Sequence, residues 1–399
     1  MKCSARRRSS RSARPLARPA ANANRHEFSA LIIPTLPTLP IHPAQLPMSK
    51  NVSRRHFLHT AARVAAVPVA AATLGALPIR AARAAATQPL KKIRVMDVPK
   101  RWIGYELLFL ADHQGYFAEQ GLALELVSLP IDQYTVAIAS GVTDFALSAD
   151  YIYLDNVRAK GLVVKEVVNS APFIDPAAAG DGLFVRADSP IRAPQDLRGK
   201  RIGMRSVTFS SAWFTLDYVG RAGLHQSDLQ FLTIPDLQLE QVLQSGAVDA
   251  VFAYGPIDAQ LREHRGYRQL FQLSDLSGRK IQRGGTMVRE DFISQHPDIV
   301  RGYVAAIAKA ADYANQHQQD VVDLGVRLGR VDPAVAPWMY TKDGKGDYSV
   351  LRWPTHGLID PADVAFWLQV AERQDVVPKG QLKVADLYTN ALNPYQTKT

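Results

Sequence analysis

Three short apolar runs in the middle of the chain have the length of strands, and the last is apolar at nearly every position, as in a strand covered on both faces. These runs are 200–204, 229–234 and 248–254. Amphipathic segments at 212–222 and 235–245 separate them, and each is followed by a glycine that can end a helix. The order of these segments predicts a parallel α/β unit.

The same pattern occurs earlier in the chain. Residues 130–145 align with residues 235–250 without a gap, and five of the sixteen positions are identical. Each copy needs other elements to cover its sheet, so two copies predict two similar lobes. The alternative is a chance recurrence of helix, glycine and strand signals, which are common in α/β chains.

Signals outside the repeat complete the predicted architecture. Further strands are predicted at 93–98, 123–129, 144–147, 182–186 and 286–289, and further helices at 106–118, 132–140, 299–317, 321–328, 333–339 and 361–374. The strands near 182–186 and 284–289 are predicted to be the two crossings of a hinge. We therefore predict an α/β fold in which residues 87–185 plus 286–399 form lobe 1 and residues 186–285 form lobe 2.

The formal net charge of +10 comes from one end of the chain. Residues 1–86, here called the leader, hold 14 of the 47 lysines and arginines but only one of the 37 acidic residues, Glu27. The remaining body is therefore slightly acidic, near −3. The body therefore lacks the positive charge that would favour binding to nucleic acid, and no nucleic-acid partner is predicted.

The leader has the features of an export segment. Residues 1–47 lack apolar periodicity and are predicted to be disordered, and Met48 is an alternative start to Met1. Residues 48–86 resemble a twin-arginine signal, with Arg54 and Arg55 before a weakly apolar run and with cleavage expected near Ala86. A permanent transmembrane helix is the alternative, but the run is interrupted by charge and proline. These features predict a periplasmic protein.

The residue types that usually carry catalysis or bind metals are scarce. The only cysteine, Cys3, lies in the leader, and the histidines of the body show no metal-ligand spacing. Phosphate-binding, nucleophile-elbow and zinc-protease motifs are absent from the sequence. We therefore predict no catalytic residue, no metal and no cofactor.

Five stretches, in this order and spacing, resemble the substrate-binding proteins of ABC importers of the nitrate, sulfonate and taurine type. They are GYFAEQGL, SGVTDFAL, SPIRAPQDLRGKRIGM, SGAVDAVFAYGP and REDFISQHPDIV, and the resemblance covers about residues 93–314. It implies the type II periplasmic-binding-protein fold, in which two lobes, each a sheet flanked by helices, are joined by a two-strand hinge. It also implies a monomer that captures a small organic anion or zwitterion and delivers it to an ABC permease in the inner membrane.

Candidate ligand-binding residues come from loops at the carboxyl ends of predicted strands, where open parallel sheets bind ligands. These candidates are Trp102, Tyr105, Ser148, Asp150, Tyr151, Arg205, Ser206, Thr208, Ser210, Ser211 and Tyr254. The resemblance assigns the hydroxyls of 206–211 to an anionic group at a helix N-terminus, where backbone N–H groups favour negative charge. The family commonly has a glycine where this chain has Phe209. The aromatic candidates suit the walls of a cleft.

Each assignment has a structural alternative. A serine of 206–211 can simply cap the helix, Asp150 can cap the helix that follows it, and each aromatic side chain can belong to the core. Two other functions also stay open: a thiamine-pyrimidine-precursor binding protein or related enzyme, and a two-lobe ligand sensor.

Overall fold

The computed structural model describes residues 89–98, 101–178, 180–339 and 352–397. The predicted disordered segment and export signal lie outside these residues. Ten strands follow one another as β1 Lys91–Asp97, β2 Leu122–Ser128, β3 Ala146–Asp150, β4 Val164–Val168, β5 Gly182–Arg186, β6 Arg201–Met204, β7 Gln230–Thr233, β8 Ala250–Ala253, β9 Tyr267–Gln272 and β10 Gly284–Arg289. The described residues thus alternate strands and helices, as predicted.

The α-helices cover the sheets that these strands form. In chain order they are α1 Glu106–His113, α2 Tyr116–Glu119, α3 Tyr134–Ala139, α4 Tyr151–Ala159, α5 Ser210–Gly220, α6 Leu239–Gln244, α7 Gly255–Glu263, α8 Ser274–Ser277, α9 Glu290–Gln295, α10 Pro297–Gln316, α11 Gln318–Arg327, α12 Ala336–Met339, α13 Pro361–Arg373 and α14 Val384–Leu387. The single helix predicted at 106–118 is two helices, because Gly115 between them has a φ of 77°. This left-handed conformation ends a helix.

The second sheet of the molecule has the strand order β7-β6-β8-β5-β9. Strand β6 runs parallel to β7 and β8, whereas β5 runs antiparallel to β8 and β9. The first sheet repeats this plan: β1 pairs in parallel with β2, and β10 lies antiparallel between β3 and β4. A parallel bridge between Val95 and Phe145 joins the two parts, which gives the order β2-β1-β3-β10-β4. We call the parts of the molecule built on these sheets the first lobe and the second lobe.

The internal repeat predicted from the sequence is confirmed by matching side-chain contacts. In the first lobe the backbone N–H of Arg94 donates to Asp144 Oδ2 at 2.9 Å, and Nη2 donates to Oδ1 at 2.5 Å. In the second lobe Arg201 contacts Asp249 in the same way, at 2.8 Å and 3.2 Å. Each pair fixes one parallel strand to the turn before another, so the two sheets are built alike.

Two segments, 169–181 and 273–283, connect the sheets. They pair at Ile174 and Ile281, whose N–H groups each donate to the other's carbonyl at 2.9 Å. The strands at 182–186 and 284–289, which were expected to be the crossings, belong to the sheets themselves. The pairing of the two connecting segments at Ile174 and Ile281 therefore comes before both strands in the sequence. The residue limits of the two lobes stay a prediction.

Large apolar cores underlie both lobes. In the first lobe the ring of Tyr303, from the long helix α10, stacks on Phe145 with 3.9 Å between centroids and on Phe117 with 5.5 Å. All three rings are almost fully buried. Within the described ranges, no helix combines the length and the apolar character needed to cross a membrane.

Candidate functional site

Two adjoining cavities lie between the lobes, where the carboxyl ends of strands from both sheets meet. The inner cavity measures about 20 Å³, and it is lined by Arg101, Ile131, Tyr134, Asp150, Tyr153, Arg205, Phe209, Ser210 and Tyr254. The outer cavity measures about 400 Å³, and it is lined by Ile131, Thr135, Tyr153, Asn156, Val157, Lys160, Leu162, Arg205, Ser206, Thr208, Phe209 and Thr233. Four residues line both cavities, so the inner one is the deep end of a single cleft.

The N-terminus of α5 forms one wall of the inner cavity. Ser210 is the first residue of this helix, its side chain is almost fully buried, and its Oγ has no hydrogen-bond partner among the described residues. Phe209, the N-cap residue, has no side-chain oxygen, so no side chain caps the first amides. The alternative that a serine caps this helix is therefore wrong. Free N–H groups and an unpaired hydroxyl at a helix N-terminus suit an anionic group.

Arginines surround the inner cavity. Arg101 and Arg205 line it, and the guanidinium of Arg205 lies 4.8 Å from the centre of the Tyr254 ring. Arg283 approaches the same ring at 5.3 Å. Burial, with Arg205 nearby, lowers the pKa of Arg101 from its ordinary value, but an arginine so placed stays charged at neutral pH. The lining of the inner cavity thus holds two guanidinium groups and one carboxylate, Asp150, and Arg205 Nη1 also donates to Asp236 Oδ2 at 3.4 Å.

Asp150 is held by Arg283 and does not cap α4. The Nε of Arg283 donates to Asp150 Oδ1 at 2.5 Å, and Nη1 donates to Asp181 Oδ2 at 2.6 Å. All three side chains are buried. Burial alone would lower the pKa of Arg283, but Asp150 and Asp181 raise it overall. The negative charge of Asp150 is therefore compensated, and no side-chain hydrogen bond links it to the start of α4.

An aromatic pair joins the two sides of the cleft. The ring of Phe209, before α5, stacks on the ring of Tyr153 in α4, with centroids 4.7 Å apart and planes 10° apart. The φ of Phe209 is −116°, an ordinary extended value, so the backbone does not require a glycine here. The ring of Phe209 occupies space that a glycine would leave open, and it narrows the passage between the outer and inner cavities.

The structure places three aromatic candidates away from the cleft. Trp102, Tyr105 and Tyr151 are fully buried, and none of them lines the inner or outer cavity. Trp102 and Tyr105 stack on Phe109 of α1, and the hydroxyl of Tyr151 donates to Glu166 Oε1 at 3.1 Å. Their apolar rings are core, which is the alternative that the sequence left open. Tyr254 does line the inner cavity.

The remaining hydroxyl candidates differ in what they contact. Ser206 and Thr208 line the outer cavity, but their hydroxyls lie 3.1 Å apart and bond to each other. Ser211 donates to the carbonyl oxygen of Ser206 at 3.2 Å. Ser148 belongs to strand β3. Among the hydroxyl candidates whose side chains the structure describes, Ser210 is therefore the one whose hydroxyl is both buried and without a partner.

Several residues in or next to the inner cavity were not found from the sequence. Arg101 directly precedes the candidate Trp102 in sequence, so its charge was a usable signal. Arg283 and Tyr153 carried no local signal, because Arg283 meets Asp150 and Asp181 only through the fold. Among the described residues, no group of three or more His, Cys, Asp or Glu side chains could hold a metal ion.

Comparison with known sequences gives one family and a small set of relatives. The profile of the family described as NMT1/THI5 like matches residues 104–321. A protein of Brucella abortus (strain 2308) that bears the name of a binding protein is 24% identical over 246 residues, which cover 61% of this chain and 73% of the relative. A protein of Brucella suis with the same kind of name matches equally.

Several solved structures share the architecture. The periplasmic aliphatic sulphonate binding protein of Escherichia coli superposes with a TM-score of 0.57 at 20% identity, over 74% of this chain and 91% of that chain. The alkanesulfonate-binding protein of Xanthomonas axonopodis pv. citri bound to MOPS superposes with a TM-score of 0.59 at 17% identity, over 76% of this chain and 99% of that chain. The periplasmic nitrate-binding protein of Synechocystis PCC 6803 superposes with a TM-score of 0.59 at 12% identity, over 76% of this chain and 87% of that chain. At these identities the likeness shows the fold, and it confirms the predicted two-lobe α/β architecture.

Proposed function

Since this chain belongs to the NMT1/THI5-like family, we propose that it is the solute-binding component of an ABC importer and captures a small organic anion between its lobes. The observation that carries the proposal is the deep end of the cleft. There the unpaired Oγ of Ser210 at the N-terminus of α5 lies in the same small cavity as Arg101 and Arg205. Helix amides, a hydroxyl and two guanidinium groups together favour an anionic head group.

The outer cavity supports an organic body on this ligand. Its volume of about 400 Å³ lies in the range of ordinary small-molecule sites. Aliphatic side chains such as Val157 and Leu162 share its walls with the rings of Tyr153 and Phe209. A sulfonate or carboxylate with a short carbon body fits this division better than a bare inorganic anion such as nitrate.

Asp150 bears on the choice between an anion and a zwitterion. A free acid at this position could meet a ligand amine, but the carboxylate of Asp150 is bonded to Arg283. This favours a simple organic anion, and an aminosulfonate of the taurine kind is the next candidate. A thiamine-type pyrimidine has weaker support, because the two rings that could stack on it are stacked on each other.

The partner and location follow from the same proposal. The solved structures that share the fold include periplasmic binding proteins for sulfonates and nitrate. We expect the mature protein to be a periplasmic monomer that delivers its ligand to an inner-membrane permease and has no catalytic activity. A gene for such a permease beside the gene of this protein would favour transport over sensing.

A thermal-shift screen tests the ligand class. The compounds are alkane- and arylsulfonates, aminosulfonates, nitrate, aromatic carboxylates and pyrimidines. A ligand that binds the folded state alone at 100 times its Kd stabilises by about 2.7 kcal/mol. We expect organic anions to raise the unfolding temperature. Stabilisation by uncharged or cationic compounds alone would contradict the anion site.

A further inference from the structure

A third cavity, here called the hinge cavity, lies where the two connecting segments meet the start of α7. It measures about 60 Å³. Its walls include Asp175, Asp181, Asp258, Arg262, Ser274 and Arg283. A water molecule needs roughly 10–15 Å³ of such space, so the hinge cavity has room for a small ion or a short polar group.

The carboxylates of the hinge cavity already have partners for some of their oxygens. Asp181 Oδ1 accepts the N–H of Gly255 at 2.8 Å, and its Oδ2 accepts from Arg283. Asp258 Oδ2 accepts from Nε of Arg262 at 2.8 Å. The two arginines of the wall are thus bonded to two of its three acids, and Arg283 also serves Asp150 in the inner cavity.

Two buried oxygens of this wall lack partners among the described residues. They are Oδ1 of Asp258 and Oγ of Ser274, in residues that are 1% and 4% exposed. A buried carboxylate oxygen without a donor is costly, because the group has lost its water and gained nothing in return. Burial, opposed by Arg262, raises the pKa of Asp258 to about 8. Near neutral pH Asp258 therefore holds a proton for most of the time, and a cation that donates to Oδ1 would take the place of that proton.

Elsewhere at this cavity, the ammonium group of a lysine lies beside an aromatic ring and a carboxylate that belong to the wall. The Nζ of Lys280 lies 4.3 Å from the centre of the Phe173 ring and 3.9 Å from Asp175 Oδ2. An aromatic face and a carboxylate are the two groups that attract an ammonium ion. No lysine is among the described residues that line the cavity, and Asp258 and Ser274 belong to that lining.

We propose that the hinge cavity binds a small cation of the ammonium class, an ammonium ion or the end of a primary amine, at Asp258 and Ser274. Its N–H groups supply the donors that the ionised Asp258 Oδ1 and Ser274 Oγ lack, and its charge replaces the proton that Asp258 otherwise holds. A coordinated metal ion is a poorer match, because no three acidic or imidazole groups of the described chain converge on one point. This site is separate from the inner cavity, although Arg283 donates to an aspartate in each of them.

Titration with methylammonium chloride at a pH above about 8, where Asp258 is ionised, followed by thermal unfolding, tests this inference. Sodium chloride at equal ionic strength controls for screening, and tetramethylammonium chloride controls for a cation without N–H donors. We expect methylammonium alone to raise the unfolding temperature with saturation. An equal shift with either control salt, or no shift with methylammonium, overturns the proposal.

Two variants localise the effect. Asp258→Asn keeps the shape of the side chain but removes its charge, and we expect at least tenfold weaker binding of methylammonium. Ser274→Ala removes one oxygen and is expected to weaken binding several-fold, which keeps the test decisive if Asp258→Asn does not fold. Binding of methylammonium that is unchanged in the folded variants would refute the site, and both variants should keep the affinity of the inner cavity for its anion.

Discussion

The ring of Phe209 lies flat on the ring of Tyr153, 4.7 Å away, and so connects the start of α5 in the second lobe to α4 in the first lobe. A stacked pair of this kind contributes about 0.5–1.5 kcal/mol beyond the area that it buries. The pair stands between the outer and inner cavities, because both residues line both of them. It therefore favours the closed arrangement of the cleft.

Replacing Phe209 by alanine is expected to speed the release of ligand. Loss of the stack should raise the dissociation rate roughly 2- to 12-fold, because the closed state loses about 0.5–1.5 kcal/mol. Stopped-flow displacement measures this rate. Tyr153→Phe is the matched control: it keeps the ring and removes only the hydroxyl that bonds to Thr135. Equal dissociation rates in wild type and Phe209→Ala would show that the stack does not retain the ligand.

Ser210→Ala is expected to weaken binding of the anion. A hydrogen bond to a charged group contributes about 1.5–3 kcal/mol, so the loss should be on the order of 10- to 100-fold in Kd. Ser206→Ala is the control, because the Ser206 hydroxyl bonds to Thr208. Calorimetric titration compares the two variants. Equal losses of affinity in Ser210→Ala and Ser206→Ala would indicate that the anion does not bind the Ser210 hydroxyl in preference to the Ser206 hydroxyl.

Arg283→Met is expected to destabilise the folded protein strongly. The change leaves Asp150 and Asp181 buried without their cation, and breaking a buried pair in this way costs about 3–5 kcal/mol. Chemical unfolding measures the free energy. Lys91→Ala removes an exposed ion pair with Asp298 and should cost less than about 1 kcal/mol. A small effect of Arg283→Met would mean that the two aspartates are stabilised by other groups.

Glu106 gives a dependence of stability on pH. Burial raises its pKa to about 8, although the Gly104 N–H donates to its Oε2 at 2.6 Å. The folded state therefore keeps a proton that the unfolded state releases above about pH 4.5. The free energy of unfolding should fall as the pH rises from about 4.5 to about 8 through this group.

Glu106→Gln should make this fall shallower, by an amount on the order of a few kcal/mol across the window. Unfolding in urea at several pH values between 5 and 8 measures it. Glu125→Gln, on an exposed side chain, is the control. The slope is not expected to vanish, because burial also raises the pKa of Asp155 and Glu166. An unchanged slope in Glu106→Gln would show that Glu106 is ionised in the folded state.

Export is expected to depend on the paired arginines of the leader. Changing Arg54 and Arg55 to lysine should leave the precursor in the cytoplasm, because the twin-arginine route reads both residues. Fractionation and immunoblotting follow the precursor, and sequencing of the exported protein should place its N-terminus near Thr87. Normal processing of the double variant would contradict this route.

The repeated units could be predicted from the sequence because their signals are local. Runs of apolar residues, the prolines before each short helix and the glycines after it all act within a few positions, as at Gly141 and Gly246, whose φ values are 73° and 74°. Strand β4 was missed, because its sequence VKEVV includes Glu166, which is buried by contacts with Tyr151. A buried acid is not visible as core in a hydrophobic pattern.

The candidate site could be predicted only in part. The loop before α5 and the tips of β3 and β8 were found, since the carboxyl ends of parallel strands are a general location for ligands. The bonding of each side chain was not, because it depends on residues that are far away in sequence. Arg283 decides the role of Asp150 from 133 positions away, and the packing of Gly325 against Trp102 fixes that ring in the core.

The strand order of the first sheet also dictates a sequence of events during biosynthesis. Strand β10 lies between β3 and β4, yet the ribosome makes it only after the whole second sheet, from Gly182 to Gln272, has emerged. The strands of the second sheet are contiguous in sequence and can pair as soon as they are made, whereas β4 of the first sheet must wait for its partner β10. Chain closure over this distance is slow. Truncation before Gly284 should therefore leave the N-terminal half exposed to chaperones and proteases.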